Sequence, residues 1–531
     1  MLTDRDRALL KFLEDNKGIS TQQAKYIFFD GIERSTIRRL NQLEDKGILE
    51  HYYRGKNKIY KLIGRHEEKR LLTQYVDSGK SEFIALFGRR RVGKTFLVRN
   101  FFQNDFAFDV TGVLEGSRNE QFSVFYTALK AYGYKGKKPT TWIDMFFALR
   151  QLIETKIEKG KRTVIFIDEL PCFDTPKAGF VNALGHFWNS WANWQSEIML
   201  IVCGSATSWM VRNVIDNHGG LHDRITHEMA LRPFTLAECE EYFHSKGFSW
   251  QRLGVLQAYM AVGGVPYYMS LFRVSDSPAI GIDRLFFSEN AEMAREYRRL
   301  FSSLFRNPQP YLDIISLLVK HPDGMTREEI SKSLEINNNG RLGNLLTDLV
   351  YCDFVRKYYV RSNRIKTNSA IFQLVDFYTI FYNTIVSKHI GDDHYWSRNI
   401  ETPTVNTWHG LAFERICQAH IPQIKKSLGI FSVRTENYVW RCRKDGNGAQ
   451  IDIIIDRADS AINLCEVKYS KTEYVLDKEE YMKMANRLEL FRMETGTKHA
   501  LIPTLITTFG VKKGLYMDHV NVILTLDDLF V

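Results

Sequence analysis

Residues 83–102 read FIALFGRRRVGKTFLVRNFF. The apolar run Phe83-Ile84-Ala85-Leu86-Phe87 has the length and unbroken hydrophobicity of a strand buried on both faces. It turns through Gly88-Arg89-Arg90-Arg91-Val92-Gly93-Lys94-Thr95 into a helix start, which is the G-x-x-x-x-G-K-[ST] or Walker A pattern in a strand-loop-helix context. Gly88 and Gly93 let the backbone curl until its N–H groups and the helix N-terminus face anionic phosphates. Lys94 then reaches the β- and γ-phosphates, and the Thr95 hydroxyl ligates Mg²⁺. ATP or GTP is the expected ligand.

A chain of 531 residues is long for one core, and about three to five domains are expected. With 44% hydrophobic and 25% charged residues and no low-complexity tract, the composition is that expected of an ordinary soluble protein. No apolar run approaches the roughly 18 residues that span a bilayer. The opening MLTDRDRALLKFLED is charged and amphipathic rather than signal-like, so a cytoplasmic protein without membrane contact is expected. The seven cysteines contain no C-x-x-C pair, which argues for free thiols over a zinc ribbon or disulfide framework. A net charge of +10 suits a polyanionic partner such as nucleic acid.

Residues 1–62 read as a small helical domain ending in a two-stranded wing around Arg54-Gly55-Lys56-Asn57. The pattern resembles a winged helix-turn-helix, whose recognition helix would expose Arg34, Ser35, Thr36, Arg38 and Arg39 to DNA. A protein-docking winged helix with a solvated basic face is the other reading. Residues 63–235 form the nucleotide domain. There the run Thr163-Val164-Ile165-Phe166-Ile167 ends in Asp168-Glu169, a Walker B pattern: Asp168 would hold Mg²⁺ and Glu169 would polarise the attacking water. The strand Ile198–Gly204 leads into Ser205, with Thr207 behind it, as the polar residue that senses the γ-phosphate or orients the water. A helix N-cap is the plainer role for Ser205. Arg224 and Arg232 are candidates for a guanidinium offered to phosphate, in cis or across a subunit interface of a homo-oligomer, with structural salt bridging as the alternative.

The order Walker A, Walker B, Gly-Ser strand, LRPFTLAEC and AVGGVPYYM (261–269) resembles the prokaryotic AAA-type ATPases called the archaeal ATPase family, related to the STAND signalling ATPases. The resemblance implies a segment at Ile63-Gly64-Arg65-His66 packed near adenine. It also implies a helical lid over residues 236–300 containing the Gly263-Gly264-Val265-Pro266 turn. Residues 301–365 repeat the winged-helix pattern, with Arg356, Lys357, Arg361, Arg364 and Lys366 as basic wing residues that would touch phosphates or simply be solvated.

Residues 366–531 change to helix, several strands, then helix and strands. Asp452 opens the run Ile453-Ile454-Ile455, and with thirteen residues between, the strand Ile462–Lys468 carries Glu466 and then Lys468, two apart and so on one face. This D-x13-E-x-K constellation resembles the PD-(D/E)XK nuclease core, a restriction-endonuclease-like α/β fold. The resemblance implies that Asp452 and Glu466 hold Mg²⁺, that Glu414 from the preceding helix completes the shell, and that Lys468 positions the nucleophile. No Pro precedes Asp452. The expected fold is therefore multidomain α/β, and two functions follow from it: an ATP-regulated metal-dependent nuclease acting on DNA, or an ATP-driven switch whose nuclease-like domain is an inactive docking module.

Overall fold

The computed structural model describes residues 64–216, 219–221, 223–359, 370–442, 449–517 and 520–531; before residue 64 it describes positions 6, 9, 13, 24, 36–41 and the first three strands. The chain divides into two units, Met1–Pro233 and Phe234–Val531.

In the first unit, strands β1 (Ile19–Ser20), β2 (Leu49–Arg54) and β3 (Asn57–Leu62) form an antiparallel sheet in the order β1-β3-β2. The tip residues Gly55 and Lys56, and the recognition-helix candidates Arg34 and Ser35, lie outside the described residues. Two of the remaining candidates are not solvent-facing as expected. Thr36 is fully buried, and Arg39 is drawn into an ion pair with Asp6, itself fully buried. A buried carboxylate needs a charged partner, and Arg39 supplies it. Arg38 is exposed.

The nucleotide domain is a five-stranded parallel sheet of β4 (Glu82–Phe87), β5 (Phe108–Thr111), β6 (Thr163–Asp168), β7 (Ile198–Gly204) and β8 (His227–Ala230), in the order β5-β6-β7-β4-β8. Helices α1 (His66–Val76), α2 (Lys94–Phe101), α3 (Arg118–Ala131), α4 (Trp142–Glu154) and α5 (Phe180–Ser190) accompany it. The central strands are apolar throughout because both faces are covered. On β4, Phe83 and Ala85 join one core while Ile84 and Leu86 join the other; on β7, Leu200 and Val202 alternate in the same way with Ile201 and Cys203. Capping boxes start α3 at Ser117/Glu120 and α4 at Thr141/Asp144, satisfying helix-end N–H groups that the core cannot reach. Arg162 pins the lower edge of the sheet by donating to the carbonyls of Tyr75, Val76, Lys80 and Ser196. A cavity of about 430 Å³ opens beside it, at the strand ends remote from the phosphate loop.

The second unit begins with α6 (Leu236–Ser245) and α7 (Arg252–Val262), then the tight turn at Gly264. A Cβ on Gly264 would sit 1.9 Å from the carbonyl oxygen of Phe234, so only glycine permits this approach. Helices α8 (Glu292–Leu304), α9 (Gln309–Val319), α10 (Arg327–Ser333) and α11 (Gly340–Tyr351) follow. The last three accompany a small antiparallel sheet of β9 (Met325–Thr326), β10 (Val355–Tyr359) and β11 (Ala370–Leu374). Of the basic wing candidates here, Arg361, Arg364 and Lys366 lie outside the described residues. Arg356 is not a solvent-facing cation: it donates to Gln373 and Gln418 and burial lowers its pKa.

The terminal domain packs α12 (Pro403–Ala419), α13 (Ile421–Ser427) and α14 (Lys478–Thr495) with a mixed sheet of β12 (Thr435–Cys442), β13 (Ala449–Arg457), β14 (Ala461–Lys468), β15 (Ala500–Thr507) and β16 (Val522–Leu524). The strands lie in sequence order, the first three antiparallel and the last two added in parallel, with α14 making the crossover from β14 to β15. Ile453, Ile455 and Cys465 enter the core that also holds Phe413 and Ile416 of α12; Ile454, Ile462 and Leu464 enter the one that holds Phe491 of α14. None of the described helices is long and apolar enough to cross a membrane, and all seven cysteines are free.

Candidate functional site

The phosphate loop joins β4 to α2. Because β8 continues past it, Leu231 N–H donates to Phe87 O at 2.7 Å, and a Cβ on Gly88 would lie 2.3 Å from Leu231 O. Gly88 is therefore required by packing as well as by its φ of 146°. Lys94 is buried, and its ammonium donates to the carbonyls of Gly88 and Arg89 at 2.7 and 2.9 Å, spanning the loop it must serve. Arg65 donates to Val92 O at 2.9 Å, fixing the segment before α1 against the loop. Arg89 is buried, while Arg90 and Arg91 are partly exposed.

Strand β7 lies between β4 and β6, so the ends of three strands converge on α2. The Thr95 hydroxyl donates to Asp168 Oδ2 at 2.9 Å across 73 residues of sequence, which brings the Walker A hydroxyl and Walker B carboxylate together. Burial raises the Asp168 pKa, a cost that a cation at this position would offset. Glu169 follows in left-handed backbone (φ 46°), and its carboxylate accepts from Ser205 Oγ at 2.5 Å and Ser205 N at 3.2 Å. Ser205 thus orients Glu169. Thr207 is buried, and Arg224 and Arg232 are exposed with no ion-pair partner among the described residues. The donor set fits a magnesium nucleotide: loop N–H groups and Lys94 for phosphate, Thr95 and Asp168 for a hard cation that keeps its waters. When bound, Mg²⁺ supplies charge neutralisation at the phosphates. Held by Ser205, Glu169 offers a carboxylate of the kind that can take a proton from water.

The second cluster lies at the end of the β13–β14 pairing. The register runs Ile454 opposite Leu464 and ends at Ile453 opposite Cys465, one residue short of Asp452 on β13 and of Glu466 on β14. On its other side β13 slips register against β12 between Tyr438 and Trp440, a bulge that falls at Asp452 and Ile453 and re-aims the acid. Asp452 Oδ2 accepts from Val467 N at 3.0 Å. Burial first, then the charges of Glu466 and Glu414, raise the Asp452 pKa well above the usual carboxylate range. Glu414 on α12 is also raised, chiefly by burial, with Asp323 and Glu466 adding to it and Arg415 opposing it. Gln418, one turn along α12, donates to both Glu414 Oε1 and Asp452 O.

Sequence reading missed the contribution of α14. Arg487 Nη1 lies 2.6 Å from Glu466 Oε1, and Lys468 Nζ lies 3.0 Å from Glu480 Oε2 and 3.3 Å from Glu466 Oε1. The available signal was the spacing of Glu480 and Arg487, two helical turns apart on one face. Among the described residues no group of three or more His, Cys, Asp or Glu side chains forms a metal-holding cluster. The pair Asp452 and Glu466 suits the looser Mg²⁺ arrangement, in which one or two carboxylates share the ion with waters and substrate oxygens.

Comparison with known proteins agrees with the first site. The model of a family described as an ATPase domain predominantly from Archaea matches residues 62–272. An uncharacterized protein of Methanocaldococcus jannaschii is 21% identical over 366 residues, covering 68% of this chain and 78% of the relative. An uncharacterized ATP-binding protein of the same organism is 41% identical over 46 residues, covering 9% of this chain and 78% of the relative. Among solved structures, the Walker-type ATPase of Pyrococcus abyssi aligns over 61% of this chain and 96% of its own, with a TM-score of 0.42 and 16% identity. With the phosphate loop, Thr95–Asp168 and Glu169–Ser205 assembled at the ends of a parallel sheet, residues 62–272 form a P-loop ATPase domain that matches that archaeal family.

Proposed function

We propose that ATP hydrolysis in this chain serves a metal-dependent cut in nucleic acid, made by the terminal domain. The observation that carries the reading is the meeting of Asp452, Glu466 and Lys468 at a β-bulge, on a helix-three-strand-helix-strand scaffold, with Asp452 held by Val467 N–H. The buried Asp452 carboxylate, raised by burial and by the charges of Glu466 and Glu414, creates a demand for positive charge that Mg²⁺ or Mn²⁺ would meet, and such an ion lowers the pKa of its bound water. Glu466 and Asp452 would hold the ion, and Lys468 would stabilise charge building on the phosphate. Supporting the choice of nucleic acid as substrate are the net charge of +10 and the two small antiparallel sheets with helices, compatible with winged helices, of which Arg38 and Lys357 present exposed cations. The exposed Arg224 and Arg232 suit contact with nucleotide bound to a second copy.

The test is cleavage of plasmid, linear duplex and single-stranded substrates with Mg²⁺ or Mn²⁺, with and without ATP, by the parent and by Asp452→Ala and Lys468→Ala. Metal-dependent cutting that disappears in both variants while ATPase activity persists is the expected result. Metal-independent cutting, or none on any substrate, overturns it. A second reading, a switch with a silent terminal domain, is favoured by one feature: α14 already neutralises Glu466 and Lys468.

A further inference from the structure

Helix α14 crosses the terminal cluster with two charged residues turned to it. Arg487 is 2.6 Å from Glu466, yet its buried Nη1 makes no aligned hydrogen bond, so charge rather than direction holds the contact. The two groups face a cavity of about 20 Å³ whose other walls, Ile451, Leu464, Met484 and Leu488, are apolar. In such surroundings attraction between opposite charges is stronger than in water. Glu480 holds Lys468 in turn, so the acid and the base of the cluster are each occupied by a residue of one helix face. Asp452 is treated differently: its carboxylate receives the Val467 N–H and, among the described residues, makes no ion pair, feeling the charge of Lys468 only at longer range.

We infer that Arg487 is an internal substitute for the divalent cation. It occupies Glu466 while the site is empty; the Glu466 carboxylate passes to the metal ion when metal and phosphodiester enter together, and the freed guanidinium turns to a phosphate oxygen. Guanidinium pairs with carboxylate and phosphate by the same planar fork, so the exchange needs a change of partner and no change of chemistry. Lys468 exchanges Glu480 for the phosphate in the same step. This inference rests on the nuclease reading and adds a regulation to it: metal and substrate bind cooperatively, each more weakly alone because it must compete with the ion pairs of α14.

The test titrates Ca²⁺, which fills such sites without supporting cleavage, into the nucleotide-free full-length chain by calorimetry. Arg487→Gln is expected to bind Ca²⁺ about tenfold more tightly than the parent, the effect of roughly 1.4 kcal/mol of lost competition, whereas Glu466→Gln abolishes that binding. With Ca²⁺ saturating, Arg487→Gln is expected to bind an oligonucleotide about tenfold more weakly. Arg487→Lys keeps a charge and the packing of α14 and should fall between the parent and Arg487→Gln, which separates competition from misfolding. Binding lost in Glu466→Gln but unchanged in both Arg487 variants overturns the inference and leaves the metal site standing. Ca²⁺ heat that no Glu466 substitution affects overturns the nuclease reading as well.

Discussion

The Asp452 carboxylate accepts the backbone N–H of Val467 at 3.0 Å, just past the last paired residues of β13 and β14, Ile453 and Cys465. A side chain here replaces a ladder carbonyl, and the exchange holds an acid whose burial and acidic neighbours raise its pKa. The acid therefore costs stability above its folded pKa, where it must be charged in the native state. Asp452→Asn keeps the acceptor for Val467 and removes the charge. In chelator at neutral pH it should raise the melting temperature by about 2–4 °C, the shift that roughly 1 kcal/mol gives in a domain of this size. Differential scanning calorimetry with and without Mg²⁺ checks this, since metal should close the gap by stabilising only the parent.

At the nucleotide site, Lys94 spans two loop carbonyls while Glu169 stands at the end of β6, with β7 between, so the two are expected to separate binding from turnover. Lys94→Ala should lose ATP binding in a fluorescent-nucleotide titration. Glu169→Gln should keep that binding and lose about 10²–10⁴-fold in turnover, as expected for removal of a general base. Normal turnover by Glu169→Gln would assign the base elsewhere.

Ser205 gives both its hydroxyl and its N–H to Glu169, so any effect of Ser205 on turnover is expected to run through that carboxylate. Ser205→Ala retains the N–H bond and leaves the carboxylate half-oriented. A fall of about tenfold in kcat with little change in KM is expected, because an aligned hydrogen bond to a charged group is worth roughly 1.5–3 kcal/mol. An equal rise in KM would instead mark Ser205 as a direct phosphate contact.

His409 and His420, both fully buried on and beside α12, are pushed down from 6.5 to about 4, chiefly by burial. Nδ1 of His420 lies 2.8 Å from Ile416 O and Nε2 accepts from Leu236 N, an arrangement that requires the neutral ring with its proton on Nδ1. Unfolded histidine takes up a proton near pH 6.5 and the folded one does not until about 4. Native stability therefore falls as pH drops through that window and levels off below it. Urea melts between pH 7 and 4 should show a loss of a few kcal/mol, made smaller by His420→Gln.

Arg38 and Arg39 are adjacent in sequence and separate in role. Arg38→Glu should weaken binding to duplex DNA and lower the salt slope by about one ion without changing the melting temperature. Arg39→Glu places a second acid against buried Asp6 and should unfold the N-terminal region instead. Filter binding across salt concentrations, paired with circular dichroism, distinguishes them.

The phosphate loop and its flanking strand were legible in the sequence because local chemistry dictates them: a five-residue apolar run ending in a Gly-rich turn has the length of a buried strand, and Gly88 and Lys94 serve a loop whose geometry is set within eight residues. The Walker B pair and the D-x13-E-x-K spacing were legible for the same reason, since strand periodicity fixes which neighbours share a face. What the linear chain did not contain was the partner of each charged group. Thr95 meets Asp168, Glu169 meets Ser205, Arg39 is taken by Asp6 and Arg356 by Gln418 through crossovers that place distant strand ends and helix faces together. Arg487 and Glu480 entered the terminal site because α14 is the crossover between two parallel strands and must lie across the sheet. Burial then decides whether a charge is presented to solvent or spent inside, and burial is a property of the packed chain alone.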